Sequence, residues 1–278
     1  MMDKALPIGT LLRPRSTTRE RLHHLQAAGL ETCQIAQIGE DFLSGLDGQR
    51  QTWQYLGLLA EHGLTPVSLF VSFPALDYAR GLVTEKSRAS RVLLACRQMN
   101  WARRLGIQYI TCHVGDISQA TGEMYEQLIL DFQQLLRFAE ENDQYWLFET
   151  GPEPVASLKK TFADIGSPNL GINFDPANLL IYDRDDPQVM VDELGSRIKV
   201  IHCKDAVRPA ESGKMGRETV LGQGDTRFVE VLTTLMQRGF RGPLIIEREL
   251  PPGPEQQKDV AEAIGFLQQL RQPFVQPA

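Results

Sequence analysis

The sequence predicts an α/β protein, a closed (β/α)8 barrel formed as a single domain over residues 1–278. Three observations carry this. Short apolar runs alternate with amphipathic helical segments eight times, and strict alternation implies a parallel sheet. Four runs in the second half end in a residue able to bind a metal or move a proton: Tyr145-Trp-Leu-Phe-Glu149, Leu170-Gly-Ile-Asn-Phe-Asp175, Ile198-Lys-Val-Ile-His202 and Pro243-Leu-Ile-Ile-Glu247. The length, 278 residues, suits eight such units, and no low-complexity linker divides them. A doubly wound open sheet is the competing architecture. No glycine-rich dinucleotide or P-loop fingerprint follows the first strand, which argues against it.

Taken in order, Leu6 to Leu12 reads as the first strand. Thr17-Thr-Arg-Glu20 has the form of a capping box, followed by Leu22, Leu25 and Ala28 at helical spacing and a closing Gly29. Thr32 to Ile35 is the second strand. A helix over Leu46 to His62 ends at Gly63, and Thr65 to Val71 is the third strand, with Phe70 and Phe73 set to line a pocket. A long helix over Thr84 to Gly106 places Val92, Cys96, Met99 and Leu105 on one face and its arginines mostly elsewhere. Gln108 to His113 is the fourth strand; Met124, Leu128, Phe132, Leu135 and Ala139 mark the next helix. The fifth strand, Tyr145 to Glu149, leads to a short helix over Val155 to Ile165, with Glu153, Lys159 and Lys160 on a solvated face. The sixth strand, Leu170 to Asp175, precedes a helix near Pro187 to Leu194. The seventh, Ile198 to Cys203, precedes a long loop holding Arg208 and Arg217. Asp225 caps a helix carrying Val229, Leu232 and Met236. Leu244 to Glu247 is the eighth strand. The last helix, about Glu255 to Leu270, turns Val260, Ile264 and Leu267 inward, and the tail from Gln272 is irregular.

Side chains alternate across a strand, so Glu149 shares a face with Leu147 and Tyr145, His202 with Val200, Glu247 with Ile245 and His113 with Thr111. The polar strand ends therefore sit one layer above an interior residue, at the C-terminal mouth where barrel enzymes place their active residues.

Composition narrows the function. With 42% hydrophobic and 23% charged residues the chain is an ordinary globular protein. A net charge of −6 argues against a primary role on nucleic acid or an anionic membrane. The four cysteines form no CxxC pair and read as reduced core residues. No long apolar run or export signal is present, so a cytoplasmic location is expected. Trp53, Trp101 and Trp146 read as packing residues.

The pieces Phe148-Glu149-Thr-Gly, Asn173-Phe-Asp175-Pro-Ala-Asn178-Leu, Ile201-His202-Cys-Lys204-Asp205-Ala and Ile246-Glu247-Arg-Glu249 resemble the xylose isomerase-like TIM barrels, the sugar phosphate isomerase/epimerase superfamily. Leu221-Gly-Gln-Gly-Asp225 is similar to that group's glycine-rich loop. The resemblance implies one divalent metal ion held by Glu149, Asp175, His202 and Glu247, with Glu149 and Glu247 also serving as acid and base on opposite faces of the substrate. Two positions depart from the pattern. Asn178 stands where many relatives have a second histidine, and Gln34 where many have a glutamate near the end of the second strand. With only five histidines the chain does not match relatives that repair DNA with several zinc ions.

Three carboxylates and one imidazole suit a hard or borderline cation: Mn²⁺ first, with Mg²⁺, Co²⁺ or Zn²⁺ as alternatives. Such an ion stabilises the enediolate formed when a proton leaves the carbon beside a carbonyl. The expected activity is epimerisation or isomerisation of a sugar, keto-sugar or sugar derivative. Loss of a β-hydroxyl from the same enediolate gives the alternative, a dehydratase or lyase of the inosose-dehydratase or keto-glycoside type. A sugar-binding barrel without chemistry is a third reading, disfavoured by the two opposed glutamates. Five further residues are candidate substrate contacts, each with a plainer alternative. His113 has a structural option, Asn178 is a helix-start cap, Lys204 and Asp205 form a rim ion pair, and Arg208 is a solvated loop arginine. No helix start offers a phosphate cradle, so an unphosphorylated carbohydrate is expected. Relatives are often oligomeric, which makes a homodimer or homotetramer the expectation.

Overall fold

The structure, a computed structural model, describes residues 6–71, 73, 81–83, 88–211 and 213–275. Eight strands close a barrel: β1 (Ile8–Leu12), β2 (Thr32–Ala36), β3 (Thr65–Phe70), β4 (Tyr109–Cys112), β5 (Tyr145–Glu149), β6 (Leu170–Phe174), β7 (Ile198–Cys203) and β10 (Leu244–Ile246). The order around the barrel is β1-β10-β7-β6-β5-β4-β3-β2, and every pair is parallel. The apolar runs form strands because helices cover them outside and side chains fill them inside.

The predicted alternation fills the interior. Val67, Leu147, Val200 and Ile245 pack as a lower layer, flanked by Tyr109 and Tyr145. One step nearer the C-terminal mouth lie Gln34, Ser68, Thr111, Asn173 and His202, all fully buried and all polar. A polar layer inside a barrel must satisfy its own hydrogen bonds, and this one carries the site.

Among the described residues there are ten α-helices, more than the eight segments read from the sequence. The additions are short: α2 (Glu40–Leu43), and α7 (Pro176–Ile181) directly after β6. The stretch after β7 is also more ordered than a loop. β8 (Asp205–Val207) and β9 (Arg217–Thr219) pair antiparallel as a small hairpin outside the barrel.

Several local expectations shift. The first helix, α1 (Arg19–Ala27), is capped by Thr18 rather than Thr17; its hydroxyl accepts the Arg21 amide at 3.2 Å. α4 (Arg88–Arg104) buries Arg88, Arg91 and Gln98 beside Ala95, Met99 and Ala102, so two arginines lie on the inner face. Partners make this tolerable. Arg88 pairs with Asp131 at 2.5 Å, and Arg91 donates to the Gly81 carbonyl and lies over the Phe73 ring. The expected start of that helix, Thr84 to Ser87, lies outside the described residues. α9 (Phe228–Gln237) is entered through Arg227 in a left-handed conformation, not through Asp225, and it buries Phe228 while Val229 faces outward. Asp225 instead accepts the Arg208 amide at 3.0 Å. Trp101 and Trp146 are core residues, whereas Trp53 is 67% exposed on α3 (Gly45–Glu61).

Candidate metal centre

Glu149 ends β5, Asp175 follows β6, His202 lies near the end of β7 and Glu247 follows β10. These strands are neighbours in the order β5-β6-β7-β10, so four separate strand ends converge on one point. One ligand atom from each residue lies within 4.8 Å of all the others. His202 Nδ1 is 3.0 Å from Glu149 Oε1 and 2.8 Å from Glu247 Oε2. These contacts are short but poorly aligned: neither His202 Nδ1 nor Glu247 Oε2 meets hydrogen-bond geometry with any partner. Asp175 divides its carboxylate. Oδ1 caps α7 by accepting the Ala177 and Asn178 amides at 2.9 and 3.1 Å, while Oδ2 is buried with no hydrogen-bond partner. Two carboxylate oxygens and one ring nitrogen thus point at a common centre rather than at one another. The donor set of three carboxylates and one imidazole fits a divalent cation.

Charge in the cluster is tightly linked. Burial works against a charged His202, but Glu247 and Glu149 outweigh it and raise the imidazole to about 10. Burial likewise opposes a charged Lys204, yet Glu247, Asp175 and Glu249 hold it protonated well above its ordinary range. Burial pushes Asp175 up, with Lys204 pulling the other way. Glu247 goes down because Lys204 and His202 outweigh its burial. In this state the two cationic side chains offset part of the carboxylate charge; a bound cation would replace the imidazole proton.

The expected substrate contacts divide into groups. Lys204 is buried at the cluster, its Nζ 3.6 Å from Asp175 Oδ2, 4.0 Å from Glu247 Oε2 and 3.3 Å from Glu249 Oε1. His113 is half-buried at the end of β4. Its Nδ1 accepts the Gly115 amide at 3.2 Å, which leaves the proton on Nε2. Asn178 sits in the first turn of α7, and its amide donates to the Thr150 carbonyl at 2.9 Å. Asp205 turns away from the cluster. Its carboxylate accepts the amides of Ala206, Gly222, Gly224 and Thr226 and the Thr226 hydroxyl. A Cβ on Gly224 would stand 2.2 Å from Asp205 Oδ1, so the glycine-rich loop is glycine-rich to let its backbone wrap this carboxylate. Arg208 also points elsewhere, towards Asp183 at 3.8 Å and the Asp185 carbonyl at 3.4 Å.

Glu153 was expected on a solvated helix face and is instead fully buried. α6 (Val155–Ile165) starts only after it, with Pro154 as its N-cap. Glu153 Oε1 accepts the Gly151 amide at 3.2 Å, and Oε2 has no partner. Burial raises this carboxyl to about 8, against its two backbone hydrogen bonds and with help from Asp116 and Glu149. The prolines on either side, Pro152 and Pro154, were the available signal that it precedes the helix.

A cavity of about 1060 Å³ opens at the opposite mouth, among the strand starts Thr65, Tyr109 and Lys199 with Arg238 and Arg241. No cluster of metal-ligating groups among the described residues lies there, and barrel chemistry belongs to the other end.

A family model described as xylose isomerase-like TIM barrel matches residues 22–270. Inosose dehydratase 2 of Bacillus cereus is 28% identical over 149 residues; the match covers 48% of this chain and only about half, 49%, of that curated relative. The solved structure of a xylose isomerase domain protein from Planctomyces limnophilus superposes with a TM-score of 0.86 at 29% identity, covering 98% of this chain and 99% of that one. A D-tagatose 3-epimerase-like protein shares the fold at a TM-score of 0.74 and 19% identity, covering 97% of this chain and 98% of that one.

Proposed function

The chain belongs to the xylose isomerase-like TIM barrel family, and from that premise we propose a divalent-metal-dependent epimerase or isomerase acting on a sugar, keto-sugar or sugar derivative. The observation that carries this reading is the placement of Glu149 and Glu247. They come from β5 and β10, separated in the barrel by β6 and β7, and each brings a carboxylate oxygen within 3.0 Å of His202 Nδ1. A substrate over the cluster meets a carboxylate on each of two faces. A bound divalent ion, Mn²⁺ by preference, would act as a Lewis acid on the carbonyl and make the neighbouring C–H acidic. One glutamate takes the proton from that carbon, and the other returns one from the opposite face, inverting the centre. Asp175, fixed by its cap on α7, holds its free oxygen in place without rotamer loss. Lys204, beside Asp175 and Glu247, would stabilise the developing oxyanion.

Lys204 also favours a second reading, a dehydratase. If the substrate carries a hydroxyl one carbon further on, loss of the proton to a glutamate forms the C=C bond as the C–O bond breaks. The leaving oxygen takes a proton from Lys204 and departs as water. The curated relative named as an inosose dehydratase supports the same reading.

Incubation of the Mn²⁺-treated protein with ketoses and inososes in D₂O tests both. Deuterium beside the carbonyl with otherwise unchanged mass supports the epimerase or isomerase. A product lighter by one water supports the dehydratase. No exchange and no product across the panel, from protein shown to hold metal, counts against both.

A further inference from the structure

His202 is gripped on its far side by a side chain that the metal cluster does not use. Gln34, on β2, is fully buried inside the barrel. Its amide nitrogen donates to Ser68 Oγ at 2.8 Å and to Thr111 Oγ1 at 3.3 Å. Gln34 Oε1 is the atom 2.8 Å from His202 Nε2. An amide oxygen only accepts, so Nε2 must carry the hydrogen. The free lone pair of a neutral ring then falls on Nδ1, the nitrogen between Glu149 and Glu247.

Asn173 bears on the same atom. Its Nδ2 is 2.7 Å from His202 Nε2, which would set two N–H donors against each other, while its buried Oδ1 has no partner. Turning that amide by half a rotation places the oxygen against Nε2–H and removes the clash of donors, since the two ends have the same shape. Nε2–H then has two amide acceptors. The Phe70 ring, 6.1 Å away and inclined by 18°, closes one face of the imidazole.

We propose that Gln34, seconded by Asn173, is the positioning residue that fixes His202 in the Nε2–H tautomer and presents Nδ1 to a divalent cation. This rests on reading the four strand ends as a metal site. Gln34 stands where the resembling family often has a glutamate. A neutral amide orients the ring without drawing its proton away, so it leaves the imidazole a weaker donor than a carboxylate partner would.

The test is Mn²⁺ affinity by calorimetry for wild type, Q34L and Q34E, together with ¹⁵N-imidazole NMR on the protein loaded with diamagnetic Zn²⁺. Loss of such a partner weakens metal binding by about 10–100-fold. Q34L should show that loss while keeping its circular dichroism spectrum, and Q34E should bind at least as tightly as wild type. In wild type the Nε2–H signal should be sharp and slow to exchange, with Nδ1 metal-bound; in Q34L it should exchange quickly. Should Q34L not fold, Q34N keeps the amide, shortens its reach and serves the same comparison. Wild-type affinity in Q34L, or an Nε2-bound metal in wild type, would overturn the proposal and leave the metal site standing. A wild-type protein that takes up no cation would overturn both.

Discussion

Glu149 and Glu247 differ in surroundings, but both are required if each serves one face of the substrate. E149Q and E247Q should each lower turnover by about 10²–10⁴-fold with the fold intact, as rates on the identified substrate would show. Glu153 gives a separate prediction through pH. Its carboxyl is raised to about 8 in the folded chain from an ordinary 4.5. Below 4.5 it is protonated in both states and its contribution is complete. Between 4.5 and 8 the unfolded chain releases the proton and the folded chain keeps it, so stability falls as pH rises, by at most about 1.4 kcal/mol per unit. E153Q has no proton to lose. Its melting temperature relative to wild type should climb across that window, and a constant difference would refute the assignment. The four positions that converge on the candidate metal centre are legible in the sequence because each closes an apolar strand. Glu153 was not, because Lys159 and Lys160 suggested a solvated helix that begins only at Val155. Gln34 stands out in the sequence only as a departure from a family pattern. Its partner His202 is 168 residues away, and no local pattern reports such a contact.

At the scale of elements, the barrel strands could be read because burial on both faces makes them continuous apolar runs. The β8–β9 hairpin could not. Its strands are three residues long, and Arg217-Glu-Thr219 carries no apolar signal. Tertiary bonds hold it instead. Arg248 Nη1 meets Glu218 at 3.0 Å and Nε meets Asp259 on α10 (Pro254–Arg271) at 2.8 Å, tying the hairpin to the strand end that supplies Glu247. The same holds for α4, whose buried arginines depend on Asp131 and the Gly81 carbonyl, both invisible in a helical pattern. Asp205, a candidate substrate contact in the sequence with a rim ion pair to Lys204 as the alternative, answers instead to amides 17 to 21 residues further on. G224A should push a methyl group into that carboxylate and the Ala206 carbonyl. The expected cost is about 1–3 kcal/mol, seen as a lower denaturation midpoint with metal stoichiometry unchanged.

For the whole molecule, eight parallel strands in unbroken order and a polar layer at one mouth follow from the alternation of short apolar runs with helices. Among the described residues, no helix is long and apolar enough to cross a membrane. The strand ends bring acids and a histidine close enough that His202 holds its proton up to about 10, so a cation must displace that proton. Metal binding should therefore release protons and tighten as pH rises. The measurement that bears most directly on this site is calorimetric titration of metal-stripped protein with Mn²⁺, run in buffers of different ionisation enthalpy beside H202A. About one ion per chain, proton release on binding, and a much weaker isotherm in an H202A variant that still folds are the expected results. Failure of wild type to bind Mn²⁺, Mg²⁺, Co²⁺ or Zn²⁺, or an H202A isotherm that matches it, would contradict the assignment of Glu149, Asp175, His202 and Glu247 as a metal centre.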